Sequence, residues 1–105
     1  PVPAGSAARG VQRLLPEAHV TAALHSVSSV KLAQFDEPLN GDVLYCGDHD
    51  ASKRICAGLI ASLGVRALDA GGLEAAATLE ALAALIIGLN QRYKKKTIGI
   101  RFTGI

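Results

Sequence analysis

The stretch Asp42-Val43-Leu44-Tyr45-Cys46-Gly47-Asp48-His49-Asp50 holds the pattern that decides the fold. The short run Asp42-Val43-Leu44-Tyr45-Cys46 reads as a strand. It ends in a corner of glycine and acidic residues. Asp48 or Asp50 then opens a helix in which Ile55, Cys56, Leu59, Ile60 and Leu63 keep helical spacing, and Gly64 is placed to end it in a left-handed turn. The same alternation recurs on either side. Upstream, His19-Val20-Thr21-Ala22-Ala23-Leu24-His25 reads as a strand that leads into a short helix capped by Ser28 or Ser29 and running through Val30, Leu32 and Ala33. Asp36-Glu37-Pro38 ends that helix, and Asn40-Gly41 makes a turn. Downstream, Val65-Arg66-Ala67-Leu68-Asp69 is a third strand, followed by a Gly71-Gly72 corner and the longest helix, Leu73 to Tyr93. The fold class expected is α/β: a small parallel sheet of about three strands alternating with helices, plus a long apolar C-terminal helix.

Two further elements frame this unit. Ser6 caps a first helix whose Val11, Leu14 and Leu15 share one face, and Pro16 stops it. The tail Ile98-Gly99-Ile100-Arg101-Phe102 alternates like a short edge strand or an ordered arm. A chain of 105 residues, 50% of them hydrophobic, buries one modest core, so residues 1–105 are expected to form a single unit. The start Pro1-Val2-Pro3, with no initiator Met, suggests a fragment or a processed product.

Composition excludes several functions. A net charge of +2 with scattered basic residues argues against a nucleic-acid partner. The run Arg92-Tyr93-Lys94-Lys95-Lys96 reads as a solvated helix end whose cations complement the helix dipole. Cys46 and Cys56 lack CxxC spacing and read as two buried, reduced thiols, with no metal site. No signal peptide precedes the first helix, which makes the cytoplasm the default compartment. The long helix is apolar all round between Ala81 and Ile87 and therefore needs an enclosing surface. Glu80 and Asn90 interrupt its apolar part, so a membrane is not expected. A homodimer through the 73–93 helix is expected instead, since its alanines permit close helix approach.

Strand ends are where ligands sit in such folds. The candidate corners are His25-Ser26-Val27-Ser28-Ser29, Gly47-Asp48-His49-Asp50 and Asp69-Ala70-Gly71-Gly72. Asp48, Asp50 and Asp69 read as capping residues, and His19 and His49 as solvent-facing. His25 reads either as a satisfied histidine at a strand end or as a ligand-binding group.

In order along the chain, Gly5-Ser6-Ala7-Ala8, Val20 through Ser29, Asp42-Val43-Leu44-Tyr45-Cys46-Gly47-Asp48, Leu68-Asp69-Ala70-Gly71, Leu89 through Lys95 and Gly99-Ile100-Arg101 together resemble the C-terminal half of the NADPH-dependent coenzyme F420 reductases. The resemblance implies a fragment of a Rossmann-type oxidoreductase that passes hydride between NADPH and the deazaflavin coenzyme F420. It implies further that His25 lies beside the deazaflavin ring, that Val27 packs near the reacting rings, that Ser29 adjoins the NADP nicotinamide and that Ile98 approaches the deazaflavin. Hydride moves directly between such cofactors, so no nucleophile or metal is required.

The chain has no GxGxxG, and Gly71-Gly72 lacks that spacing. The N-terminal dinucleotide-binding domain is therefore expected to be absent and the isolated fragment inactive, with most of the NADP site outside this chain. The sequence also departs from the family in its long helix. Relatives offer an Arg one turn after the Gly-x-Leu corner, and a hydroxyl residue further on. Ala77, Ala83 and Ala84 stand at those places, so the acidic tail of the deazaflavin has lost a planar charged donor. Two other readings remain: a non-catalytic dimerisation module, or the substrate half of another NADP-dependent reductase acting on a small imine or hydroxy acid.

Overall fold

A computed structural model describes residues 5–25 and 41–105. Helix α1 (Ala7–Leu14) starts at Ser6, whose hydroxyl accepts the Arg9 N–H at 3.1 Å. Strand β1 (Thr21–Ala23) is followed, after an undescribed stretch, by β2 (Asp42–Gly47), α2 (Asp50–Ala61) and β3 (Arg66–Asp69). A 3-10 turn (Leu73–Ala75) leads into α3 (Ala76–Tyr93), which ends at Lys94 in the left-handed region with φ 54°. The helix expected after Ser28 or Ser29 lies outside the described residues.

The α/β character and the long final helix are as expected, but the direction of one strand is not. Sheet order is β1-β2-β3, with β2 parallel to β3 and β1 antiparallel to β2. Thr21 pairs with Gly47 and Ala23 with Tyr45, so β1 runs from the end of β2 back toward its beginning. The sheet is mixed rather than parallel. Strand β1 is also shorter than its apolar run: Leu24 takes φ 66°, a left-handed conformation rare for leucine, and breaks the ladder.

Alternation along β2 divides the core between two faces. Cys46 packs with Ala76 and Leu79 of α3, joined by Ala8, Ala22, Leu44 and Ala75. Val43 points to the opposite face, where α2 crosses all three strands and buries Ile60. Glu80 of α3 accepts the Ala7 N–H at 3.1 and 3.0 Å, tying the start of α1 to the long helix.

Only part of α3 is enclosed by the chain. Ala76, Leu79 and Ile86 are buried, whereas Leu85 is 56% and Ile87 58% exposed beside exposed Ala81, Ala84 and Gly88. By length and composition the span Leu73–Tyr93 is apolar enough to cross a bilayer, despite Glu80 and Asn90. Its buried face, Ala76, Leu79 and Ile86, belongs to the chain's own core. Of the two thiols, Cys46 is fully buried but Cys56 only partly, which corrects the expectation for Cys56; both are free. Burial pushes both thiols above their ordinary value, which favours the protonated form.

Candidate functional site

The reversal of β1 redistributes the corners. Gly47-Asp48-His49-Asp50 and Asp69-Ala70-Gly71-Gly72 meet at the carboxyl ends of the parallel pair: Gly47 N–H donates to Gly71 O at 3.1 Å and Leu73 N–H to Asp48 Oδ1 at 2.9 Å. Lys53 ties this end together, donating to Gly71 O at 3.1 Å and pairing with Asp69 at 2.9 Å. Asp48 and Asp69 are thus corner residues, as expected; Asp69 also accepts the Gly71 N–H at 2.8 Å. His19 is exposed but not alone, since its ring stacks on that of half-buried His49 with centroids 4.0 Å apart. Two shallow clefts open at this end, one of about 210 Å³ lined by Arg9, Arg13, Asp48 and Glu74 among others. The second, of about 290 Å³, is lined by Tyr45, Asp50, Lys53, Arg54 and Asp69.

His25 is not at that end. Antiparallel β1 delivers it toward the start of β2, so the three corners expected to converge form a pair and an outlier. Its ring is half-buried, and Nδ1 is buried without a hydrogen-bond partner. Burial pulls the imidazole below its ordinary pKa, partly offset by the carboxylate of Glu80 on α3. The neutral ring keeps one nitrogen as donor and the other as acceptor. The preceding Leu24, held at φ 66°, is the kind of backbone strain that gathers at functional positions.

The tail reaches the same end of the sheet. Asp42 N–H at the start of β2 donates to Ile100 O at 2.6 Å, and Phe102 N–H donates to Asp42 Oδ2 at 2.6 Å. Arg66 on β3 grips both Asp42 carboxylate oxygens, at 3.0 and 2.6 Å, and donates to Phe102 O at 2.6 Å. Hydrogen bonds from Arg66 and then from Phe102 hold the Asp42 carboxyl down at about 2. Nearer the helix, Ile98 N–H donates to Asn90 Oδ1 at 3.2 Å. The tail is therefore an ordered arm rather than an edge strand. Half-buried Ile98 and His25 are carried to the same end of β2 from opposite ends of the chain. Val27 and Ser29 lie outside the described residues.

No metal-binding cluster of His, Cys, Asp or Glu occurs among the described residues. Sequence reasoning missed Glu80, Asp42, Arg66 and Asn90 at this end. Asp42 and Arg66 looked like ordinary residues near the starts of strands, and only their parallel register makes them neighbours.

No protein-family model matches the chain. The F420-dependent NADP reductase of Methanocaldococcus jannaschii is 40% identical over 104 residues, covering 98% of this chain and 47% of that protein. Over nearly its whole length the chain is similar to F420-dependent NADP reductases. The F420-dependent NADP reductase of Methanothermobacter thermautotrophicus is 38% identical over 96% of the chain and 45% of its own length. That of Methanothermobacter marburgensis is 35% identical, over 96% and 46%. A crystal structure from Arthrobacter sp. FB24, provisionally assigned as an F420-dependent NADP reductase, matches with a TM-score of 0.84 at 25% identity, over 98% of this chain and 48% of that one. The resemblance read from the sequence is borne out, and the chain spans about half the length of these reductases.

Proposed function

We propose that this chain is part of an oxidoreductase that moves hydride between NADPH and the deazaflavin coenzyme F420, with His25, Val27, Ser29 and Ile98 facing the two cofactors. The observation that carries this reading is the 40% identity to an F420-dependent NADP reductase across 98% of the chain, including the His25 corner and the tail. The residues present fit a flat heterocycle beside His25. A buried Nδ1 with no partner is a costly arrangement that a ring carbonyl, hydroxyl or N–H would relieve.

When bound, the deazaflavin supplies a ring carbon that accepts or gives hydride. The neutral imidazole of His25 offers a hydrogen bond to a polar ring atom and orients the ring. Glu80 stabilises any positive charge that develops on that imidazole. Ile98 covers apolar ring surface and excludes water from the transfer. The family resemblance would give Val27 a place near the reacting rings and Ser29 one beside the nicotinamide. The pyrophosphate of NADP is held by polypeptide outside this chain, on a glycine-rich turn that these 105 residues lack. The isolated chain is accordingly inactive. The apolar arc of Ala81, Ala84, Leu85, Ile87 and Gly88 is the contact surface of a homodimer, because solvent leaves it uncovered on this chain.

The test is deazaflavin-dependent NADPH oxidation by the full-length protein, with and without His25→Ala. The reading expects turnover by the parent and a loss in rate or in deazaflavin affinity for the variant. Turnover and affinity both unchanged in His25→Ala would remove the role given to this residue.

A further inference from the structure

Residues 98–102 belong to no helix or strand, yet they are fixed on both sides of Ile98. On the helix side, Asn90 accepts the Ile98 N–H through its side chain and the Lys95 N–H through its backbone oxygen at 2.8 Å. On the sheet side, Asp42 binds both Ile100 and Phe102, and Arg66 closes over the same carboxylate. Gly41 completes the seat. At φ 130° it lets Ile100 O come within 2.8 Å of where a side-chain carbon would stand. The Asp42 side chain is only 5% exposed although charged, which demands the full set of partners it has. Ile98, Ile100 and Phe102 are all half-buried, and the polar contacts on either side of Ile98 fix the register in which these apolar side chains are presented.

We infer that Asp42, Arg66 and Asn90 are positioning residues that hold the arm so that Ile98 is presented to the deazaflavin, making this arm a determinant of deazaflavin affinity distinct from NADP affinity. The inference rests on the cofactor reading given to Ile98 above. Arg66 and Asn90 touch no cofactor; they act through the backbone on either side of Ile98. A planar, two-pronged guanidinium suits this task, because it fixes orientation as well as distance.

The experiment uses the full-length protein with Asn90→Ala, Arg66→Ala, Ile98→Ala and the doubles that combine each of the first two with the third. Calorimetry measures the binding of coenzyme F420 and, separately, of NADP. Losing one net hydrogen bond from the arm weakens deazaflavin binding by about 5-fold. Asn90→Ala is expected to show a loss of that size and Arg66→Ala, which removes several bonds at once, a loss at least as large, while NADP affinity stays within about 2-fold. In the Ile98→Ala background the same substitutions add little, because coupled residues are non-additive. Faster amide exchange at Ile98, Ile100 and Phe102 accompanies the loss. Should Arg66→Ala fail to fold, Asn90→Ala at the helix end gives the same readout. Equal losses of both cofactors, full additivity with Ile98→Ala, or unchanged deazaflavin binding overturns the inference. If Ile98→Ala weakens deazaflavin binding and the other two do not, this inference alone falls. If Ile98→Ala has no effect, the role of Ile98 falls too, and a full-length protein that binds no deazaflavin refutes the proposed function itself.

Discussion

Replacing Gly41 by alanine tests the seat of the arm at its most constrained point. At φ 130° a residue with a side chain is strained by about 1–3 kcal/mol. The new carbon would also stand 2.8 Å from Ile100 O, a backbone atom with no freedom to swing aside. The turn and the arm therefore separate, and the buried Asp42 N–H loses its acceptor, a cost of about 1–3 kcal/mol for an unpaired donor. Relief of the clash recovers part of the strain, so the two do not simply add, and the expected destabilisation is about 2–4 kcal/mol. Urea unfolding of the full-length protein measures it, with amide exchange at Ile98, Ile100 and Phe102 reporting whether the arm has lifted. A change below about 0.5 kcal/mol, the range of an ordinary surface substitution, with exchange unaltered would refute the reasoning.

Ile60→Ala empties the buried centre of the α2 face and should cost about 2–4 kcal/mol in the same unfolding assay, with cofactor affinities preserved in the folded fraction. Asp42 gives stability an acid limb. Its carboxyl falls from 3.8 in the unfolded chain to about 2, so its contribution is complete above 3.8 and disappears as pH drops from there through 2. Asp42→Asn should flatten that limb; an unchanged acid profile would contradict the assignment. His25 has the same sign, because its folded pKa lies below 6.5: the neutral ring favours the fold, and that contribution fades as pH falls below 6.5. An NMR titration of the imidazole should find its midpoint under 6.5, and a midpoint at or above that value is the contrary result. Leu85→Arg places a charge on the exposed apolar arc of α3, and sedimentation of the full-length protein should then shift from dimer to monomer.

Local chemistry made much of the fold readable. A helix forms over Asp50–Ala61 where the spacing placed one, although of its apolar positions only Ile60 is buried while Ile55 and Leu59 stay exposed; Gly64 takes the left-handed φ of 82° that its position implied, and β2 begins at Asp42 as the preceding turn required. Strand β1 shows what local chemistry leaves open. An apolar run has the same composition whichever way it points, and the choice depends on the route of the chain between residues 25 and 41. Its early end was equally invisible, because Leu24 carries none of the glycine or asparagine character that usually marks a left-handed residue. In the candidate site His25 was legible as a strand-end histidine. The seat of the arm was not, since Asp42 and Phe102 lie 60 residues apart and neither belongs to a recognisable motif. Family likeness supplied Ile98; the arrangement that holds it is visible only in three dimensions.

The grip of Asp42 on Phe102 bears on how the polypeptide is made. Translation delivers residue 42 and its carboxylate long before residues 98–105 leave the ribosome, and the tie between Ala7 and Glu80 spans 73 residues. Until residues 98–102 arrive, the first strand position of β2 lacks the Ile100 acceptor for its amide and the Phe102 N–H for its carboxylate. A nascent product cut short after the long helix would display this defect together with a bare apolar arc, the combination that chaperones and proteases recognise. The folding of β2 is thus joined, at one carboxylate, to the arrival of a segment 60 residues downstream.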